Sequence, residues 1–151
     1  MFKSMRLTIV LAIGLAVAAC ASAPPPPDPT VAQITFVSAA DQNPDPTGRA
    51  SPAVVFVYAL QAGAPFQTAP ADQMLGGQVT DPTMSRVARL VIVPGKTIKK
   101  IFTLPDGTTD VGIAVAYREI ETAKWRDQAP VTPNAVTLVK VGVGANEISF
   151  E

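Results

Sequence analysis

The sequence predicts an all-β domain, an antiparallel sandwich of two sheets built from about seven or eight short strands with a short helical insertion. Three observations predict it. Short segments that place apolar residues at alternate positions recur along the chain after residue 30. Turn signals rich in Gly, Pro and Asn separate these segments at short intervals. No internal repeat is found, so one hydrophobic core is expected.

The first nineteen residues have the layout of a secretory signal. Lys3 and Arg6 form a short basic head, and an apolar stretch from Leu7 to Val17 follows it. This stretch is too short for a membrane-spanning helix, which needs about 20 apolar residues. The segment ends in Val17-Ala18-Ala19-Cys20, which resembles a bacterial lipoprotein box, where the cysteine thiol becomes a thioether to diacylglycerol. Cys20 is therefore the predicted lipidation site, and a plain cleaved signal is the alternative.

Composition narrows the possible functions of the exported chain. Cleavage before Cys20 leaves 132 of the 151 residues, and the loss of Lys3 and Arg6 leaves 10 basic against 12 acidic side chains. A net charge near −2 predicts no nucleic-acid partner, which would need a basic surface for the phosphates. The sequence has no histidine and a single cysteine. Ser-His and Cys-His nucleophile pairs and the common zinc ligand sets are therefore unexpected, as is any disulfide. No cofactor is predicted.

Residues 20–30 are predicted to be a tether between the lipid and the domain. Five prolines lie between Ala21 and Thr30. They favour a polyproline II spacer, which rises about 3.1 Å per residue and would span roughly 30 Å. A ligand for a proline-recognising domain is the alternative. The folded domain is expected to occupy residues 31–151.

The first part of that domain is predicted to contain two strands joined by a long loop. Ala32, Ile34 and Phe36 alternate with polar residues and predict a half-buried strand. Residues 40–52 break this pattern with prolines, a glycine and turn-forming polar side chains, which predicts a conformationally restricted loop. Residues 53–60 are apolar on both faces, and this is typical of a central strand that is covered on both sides.

The remaining chain is predicted to alternate between short strands and turns. One or two helical turns are expected at 72–75. Further strands are predicted at 86–93, 97–104, 111–117, 136–143 and 147–150. Pro94-Gly95 is predicted to form a hairpin turn, and residues 118–134 a polar connection. In the strand 111–117, Gly112, Ala114 and Ala116 form a small-residue face that another segment could approach closely.

Two partial ligand motifs are interpreted as turns. Gly95-Lys96-Thr97 resembles the end of a phosphate-binding loop, but Leu90 stands where that motif needs a glycine, and a strand is expected to follow instead of a helix. Asp41-x-Asn43-x-Asp45 begins like a calcium-binding loop, but prolines occupy its sixth and twelfth positions. Turn-forming side chains that bind backbone amides explain the second motif better.

Carboxylates that could serve in glycoside hydrolysis occur close together in the polar connection. Glu119 and Glu121 lie two residues apart, and Asp127 follows. Such a mechanism needs two carboxyl groups at a defined separation, which the sequence does not specify. Solvated side chains of a loop are the simpler interpretation. A cell-wall hydrolase therefore stays an alternative that requires two carboxylates converging in a cleft.

The order of these features resembles one family. After the lipoprotein box and the proline tether come the loop Asn43-Pro44-Asp45-Pro46-Thr47-Gly48-Arg49-Ala50-Ser51-Pro52 and the segment from Tyr117-Arg118 to Trp125-Arg126. This looks like the outer-membrane lipoprotein of the type VI secretion system, the TssJ family, also called VasD or SciN. The resemblance implies a transthyretin-like sandwich and a non-enzymatic role. It also implies binding to the periplasmic C-terminal region of the inner-membrane protein TssM, in a complex that contains TssL.

The resemblance leads to a hypothesis about location and binding residues. Ala21 after the lipidated cysteine, where an inner-membrane lipoprotein commonly has aspartate, predicts the periplasmic face of the outer membrane. The predicted partner-binding residues lie in the long loop: Asn43, Pro44, Asp45, Gly48, Arg49 and Pro52. The alternative is that Asn43, Gly48 and Pro52 only shape the loop. Tyr117, Arg118 and Trp125 are assigned to the fold. A periplasmic ligand-binding lipoprotein is the alternative from another functional class.

Overall fold

The computed structural model describes residues 24–151 as a sandwich of two four-stranded sheets. Its strands are β1 (Val31–Ser38), β2 (Ala53–Gln61), β3 (Met84–Ile92), β4 (Thr97–Thr103), β5 (Thr108–Ala116), β6 (Arg126–Pro130), β7 (Val136–Val143) and β8 (Ile148–Phe150). A four-residue helix, α1 (Ala71–Met74), lies between β2 and β3. The predicted two-sheet, all-β sandwich with a short helical insertion is confirmed. The predicted signal segment and Cys20 lie outside the described residues.

The strand order departs from the order of the sequence. The first sheet runs β4-β1-β7-β8 and the second runs β3-β2-β5-β6. β1 pairs with β4 in the antiparallel sense but with β7 in the parallel sense, from Val31 opposite Val136 to Ser38 opposite Val143. The expectation of a wholly antiparallel sandwich is therefore wrong at this pair. β1 lies at the centre of its sheet, with a partner strand on each side.

The predicted hairpin at Pro94-Gly95 is also wrong. β3 belongs to the second sheet and β4 to the first, so this turn carries the chain from one sheet to the other. Gly95 has a φ of 69°, and its amide donates to the carbonyl of Ala39, with 3.1 Å between nitrogen and oxygen. A turn signal marks where a chain reverses, whereas the partner of each strand is chosen by packing across the sandwich.

The connection predicted at 118–134 contains a strand that the sequence pattern did not indicate. β6 reads Arg-Asp-Gln-Ala-Pro and pairs with β5 at the edge of the second sheet. Most of its residues are half-buried, and the strand shows no alternation of apolar and polar side chains. An edge strand of this kind is held by backbone hydrogen bonds to its neighbour, which leave little trace in the residue types.

The main core fills the space between the sheets, and a second apolar cluster covers the outer face of the second sheet. Segment 62–83 supplies Phe66 and Met74, both fully buried, to this second cluster. A Cβ atom at Gly112 would lie 2.8 Å from the ring of Phe66, so the predicted close approach to the small-residue face is confirmed. β2 is buried on both faces, as its sequence predicted.

The two ends of the sandwich differ in what they carry. We call the end where β1 begins the tether end, because the exposed residues Pro24–Pro29 lead into it there, and the opposite end the distal end. The distal end holds the connections 39–52, 93–96, 117–125 and 144–147. Eight residues of β1 separate the ends by about 26 Å at roughly 3.3 Å per residue. Within residues 24–151, no helix is long and apolar enough to cross a bilayer.

Candidate partner-binding loop

The base of the long loop is built around a buried glutamine, Gln42. Its Oε1 accepts a hydrogen bond from the hydroxyl of Ser38 at 2.6 Å, and its Nε2 donates to the carbonyls of Ser51 at 3.2 Å and Ile92 at 2.9 Å. Gln42 is 0% exposed. Its hydrogen bonds therefore connect the start of the loop to the end of the loop and to the end of β3. Its role was not predictable from the sequence, because a glutamine in a polar stretch has the same sequence signature whether it is buried or solvated.

Asn43 joins three of the distal connections. Its amide donates to the carbonyl of Ala145 at 2.9 Å, and its Nδ2 donates to the carbonyl of Pro52 at 3.0 Å. Its Oδ1 accepts from the amide of Arg118 at 2.8 Å. The residue is buried and has a φ of 47°, a left-handed conformation that asparagine tolerates better than most residues. These bonds set the position of the loop relative to the rest of the distal end.

The tip of the loop is a closed turn. Asp45, Pro46, Thr47 and Gly48 form a β-turn in which the amide of Gly48 donates to the carbonyl of Asp45 at 2.8 Å. Proline at the second position and glycine at the fourth are both favoured in such turns. The amide of Asp45 also donates to the carbonyl of Arg49 at 2.8 Å. The tip is thus a compact unit with its own hydrogen bonds.

The carboxylate of Asp45 organises this turn. Its Oδ1 accepts from the hydroxyl of Thr47 at 2.6 Å and from the amides of Thr47 at 2.9 Å and Arg49 at 3.1 Å. Its Oδ2 pairs with the guanidinium of Arg49 at 3.1 Å. The hydrogen bond from the Thr47 hydroxyl, followed by that from the Arg49 amide, lowers the pKa of Asp45 to about 2. The carboxylate is satisfied by its own turn, as expected if it is a turn former and not a metal ligand.

The predicted partner-binding residues divide by exposure. Asn43 is 4% exposed, and only 12% of the Asp45 side chain is exposed, against 82% of the Arg49 side chain. Gly48 and Pro52 are exposed, and Pro44 is half-buried. Gly48 has a φ of 82°, which suits glycine. The guanidinium of Arg49 is the most accessible charged group at the tip.

The aromatic residues next to the loop anchor the distal end. The hydroxyl of Tyr117 donates to the carbonyl of Glu147 at 2.6 Å, and burial raises the pKa of this phenol. The guanidinium of Arg126 lies over the Trp125 ring at 4.3 Å and donates to the carbonyls of Phe66 and Ala69. Tyr117 and Trp125 therefore serve the fold, whereas the side chain of Arg118 is exposed and only its amide is used.

A shallow pocket of about 190 Å³ lies beside the loop. It is lined by Asn43, Pro44, Tyr117, Glu119, Thr122, Ala145 and Asn146. Glu119 contributes the single carboxylate among these residues, and Asp127 instead pairs with Lys124 at 2.7 Å. The pocket therefore does not bring together the carboxylates that a glycoside hydrolase would need. Among residues 24–151, no cluster of three or more His, Cys, Asp or Glu side chains could hold a metal ion.

The fold and this site define a small two-sheet β-sandwich that carries a hydrogen-bonded polar loop at the end opposite residues 24–29. The chain belongs to the type VI secretion lipoprotein family described by the names VasD, EvfM and TssJ, which it matches over residues 30–146. It is a TssJ-like lipoprotein of the type VI secretion membrane complex, and the resemblance noted in the sequence is confirmed.

Solved structures share this fold. The crystal structure of the type VI lipoprotein TssJ1 from Pseudomonas aeruginosa is 25% identical, with a TM-score of 0.68, and the match covers 82% of this chain and 95% of that chain. Lip from Serratia marcescens, a membrane-bound component of the type VI secretion system, is 15% identical with a TM-score of 0.72, covering 82% and 98%.

A third structure is named for another protein of the system. Its name is that of the C-terminal domain (869–1107) of the type VI secretion protein TssM from EAEC. The matched chain is 17% identical with a TM-score of 0.62, and the match covers 81% of this chain and 98% of that chain. No curated protein sequence matches this chain.

Proposed function

We propose that this protein is anchored by lipid on Cys20 in the periplasmic face of the outer membrane and binds the periplasmic C-terminal region of a TssM-type inner-membrane protein. The proposal divides the chain into a signal at 1–19, a tether at 20–30 and a binding domain at 31–151. Membership of the type VI lipoprotein family supports it. The bound pair would bridge the two membranes within a complex that also contains a TssL-type protein, and the role is non-enzymatic.

The third structural match supports the choice of partner. The match covers 81% of this chain and 98% of the matched chain, so the matched chain is about as long as this domain. It is therefore far shorter than the TssM range 869–1107 for which that structure is named. A chain with this fold therefore occurs in a structure that is named for the TssM C-terminal domain. This favours TssM over other periplasmic proteins as the partner.

The position of the loop relative to the tether is the observation that carries the proposal. The tether enters at the start of β1, and the loop follows the end of the same strand, so the two lie at opposite ends of the sandwich. A domain tethered to the outer membrane at one end can therefore hold the loop toward the periplasm. The loop would meet a protein that approaches from the inner membrane.

The construction of the loop supports a binding role. Gln42 and Asn43 hold its base, and Asp45 closes its tip. A loop that is already ordered loses less conformational entropy on association, and this leaves more of the contact energy for affinity. Arginine is also enriched among the residues that dominate binding energy at protein interfaces. Arg49 is therefore the residue from which we expect the largest contribution.

Apolar side chains next to the loop extend the proposed surface. Val91 and Val93, at the distal end of the second sheet, are 55% and 49% exposed. Val91 stands opposite the half-buried Val54, which follows the exposed Pro52. Interfaces commonly combine an apolar centre with a polar rim. These residues would add an apolar area to the interface beside the contact that Arg49 makes.

Reversal of the charge at Arg49 tests the proposal. The mature lipoprotein in detergent is titrated by calorimetry with the periplasmic C-terminal region of its TssM-type protein. Arg49→Glu is expected to weaken binding about tenfold or more, because it places a second carboxylate beside Asp45 and removes an exposed cation. Arg49→Gln, which removes the cation without adding a charge, is expected to give a smaller loss.

The matched control is Lys100→Glu, the same charge reversal at an exposed residue of β4 in the first sheet. It is expected to bind like the wild type. Wild-type affinity of Arg49→Glu would remove Arg49 from the interface. Failure of the folded wild-type protein to bind would refute the proposed function itself.

The pocket beside the loop does not favour the ligand-binding alternative. Its volume of about 190 Å³ is small, because sites for drug-sized ligands usually enclose about 300 to 1,000 Å³. Tyr117 is the single aromatic residue in its lining, so a stacking surface for a sugar is missing there. The adaptor role is therefore the function that the geometry supports best.

A further inference from the structure

The two sheets differ in how their outer faces are covered. Segment 62–83 packs against the outer face of the second sheet, whereas the first sheet carries exposed apolar side chains on its outer face. Ile101 is 66% exposed, Val136 63% and Leu138 72%. These are the three most exposed large hydrophobic side chains among the residues that the structure describes, and none of them is used by the proposed function.

Strand pairing gathers these side chains into one patch. Ile101 of β4 and Leu138 of β7 both stand opposite Gln33 of β1, so the three residues form a row across the sheet. Val31 pairs with Val136 in the neighbouring row. We call Val31, Ile101, Val136 and Leu138 the apolar strip. The strip lies at the tether end, since Val31 is the first residue of β1 and follows the tether directly.

Two lysines lie one row further from the tether. Lys99 and Lys140 both stand opposite Thr35, about 7 Å along the sheet from the row of Ile101 and Leu138. A groove of about 380 Å³ connects this row to the strip. Glu151 is the one acidic residue lining the groove, and it pairs with Lys140. On this face, the apolar strip therefore lies nearest the tether end, and the row of lysines follows it toward the distal end.

This order matches the depth profile of a phospholipid surface. Interfacial segments bury apolar groups about 5 to 10 Å into the boundary between headgroups and acyl chains. Lysines keep their ammonium groups at the level of the phosphates while their stems lie along apolar surface. Asp28 in the tether and Asp106 in the β4–β5 turn lie at the same end and oppose deep insertion of the end itself. Contact is therefore expected through the tether-end part of the outer face, with the strands inclined to the membrane so that the strip lies deeper than the lysines.

We propose that the apolar strip of the first sheet rests on the phospholipid surface of the membrane that holds the lipid chains of Cys20. The inference rests on the lipid anchor of the proposed function. Ala21 to Thr30 would extend roughly 30 Å at about 3.1 Å per residue, so the strip stays within that distance of the bilayer. Tethering raises the effective concentration of the surface at the strip, and this allows a weak apolar contact to persist. The contact orients the distal loop.

The experiment uses the lipidated mature protein in vesicles of phosphatidylethanolamine and phosphatidylglycerol at a ratio of about three to one, a mildly anionic surface. Because the lipid occupies the thiol of Cys20, a single introduced cysteine is the one free thiol of the protein. Leu138→Cys places a nitroxide spin label in the strip. Val91→Cys places the same label on the distal end of the second sheet, at an exposed valine matched in chemistry.

The measurement is the ratio of collision rates of each label with dissolved oxygen and with a water-soluble nickel complex. Oxygen concentrates in hydrocarbon and the nickel complex does not, so the ratio at residue 138 is expected to exceed that at residue 91 about threefold or more. Ile101→Asp added to Leu138→Cys is expected to bring the ratio down toward the control value, because it places a charge in the strip.

Equal ratios at residues 138 and 91, with mass spectrometry confirming lipid on Cys20, would overturn the inference and leave the proposed function intact. The label at residue 138 could instead show low accessibility to both reagents, with the accessibility falling further as the protein density in the vesicles rises. That result would overturn the inference in favour of a second copy of this chain on the strip. A chain without lipid on Cys20 would overturn both this inference and the proposed anchor.

Discussion

The base and the tip of the distal loop use hydrogen bonds in opposite ways. At the base, Gln42 and Asn43 are buried, and their side chains bind the backbone of distant segments such as Ile92 and Arg118. At the tip, Asp45 bonds only to residues within four positions of itself, and the Arg49 guanidinium that pairs with it faces solvent. The base therefore joins the loop to the sandwich, whereas the tip is a local structure that the rest of the fold does not need.

This difference separates two requirements of the proposed binding loop. The base determines the position of the loop relative to the sandwich, and substitutions there should lower the free energy of unfolding. The tip determines which side chains the loop presents to a partner, and substitutions there should mainly change the binding affinity. The following substitutions test that separation, from the largest expected effect on stability to the smallest.

Gln42→Ala is expected to lower the free energy of unfolding by about 3 to 5 kcal/mol, because it leaves buried carbonyls without donors and opens a cavity. Urea unfolding monitored by the fluorescence of Trp125 measures the change. Gln78→Ala, at an exposed glutamine in segment 62–83, is the control and should change stability by less than about 0.5 kcal/mol. Equal losses in the two variants would show that the base does not tie the loop to the sandwich.

Asn43→Ala is expected to cost about 2 to 3 kcal/mol. It leaves the Arg118 amide and the Pro52 carbonyl without their partners and places alanine at a φ of 47°. Asn43→Gly removes the same side-chain bonds but tolerates that φ, so it should be less destabilising than alanine. Thermal unfolding of the pair separates the two causes. Alanine as stable as wild type would contradict the role assigned to Asn43.

Gly48→Ala is expected to cost about 1 kcal/mol, because alanine must adopt a φ of 82°. A Cβ atom there meets no heavy atom within 4 Å, so the cost is conformational and not steric. Calorimetric unfolding measures it. A loss comparable to that of Gln42→Ala would mean that the tip is coupled to the core after all.

Asp45→Asn tests the tip by pH. The native turn lowers the pKa of Asp45 from 3.8 to about 2. A carboxylate whose pKa is lowered on folding stabilises the native state above about pH 4, and this contribution is lost as the pH falls toward 2. The difference in melting temperature between wild type and Asp45→Asn should therefore shrink from pH 5 to pH 2. A constant difference over that range would contradict the assigned hydrogen bonds.

The fold was predictable where side-chain pattern reflects burial. β1 alternates apolar and polar residues from Ala32 to Phe36, and β2 is almost wholly apolar up to Leu60, so their positions and the central place of β2 follow from residue type. β6 lacked such a pattern, because backbone pairing with β5 holds an edge strand of almost any composition. The parallel pairing of β1 with β7 depends on which sheet each strand joins, a choice made by contacts between residues more than 100 positions apart.

The candidate site was predictable only in outline. Proline, glycine and asparagine marked the loop, and Asp45 with Gly48 reads as a turn. The division between base and tip was not predictable, because Gln42, Asn43 and Asp45 are all polar residues in a polar stretch. Burial separates them, and burial depends on the connections at 117–125 and 144–147 that close over Asn43.

The central position of β1 has a mechanical consequence. The strand that receives the tether is hydrogen-bonded along its length to β4 on one side and β7 on the other. A pull on the tether against a partner held at the distal loop acts along this strand, and it therefore loads both ladders in shear. Their hydrogen bonds share the load and must fail together, whereas a strand peeled from an edge loses its bonds one after another. In the proposed bridge, such a domain would transmit tension between the two membranes without unravelling from the end that the tether enters.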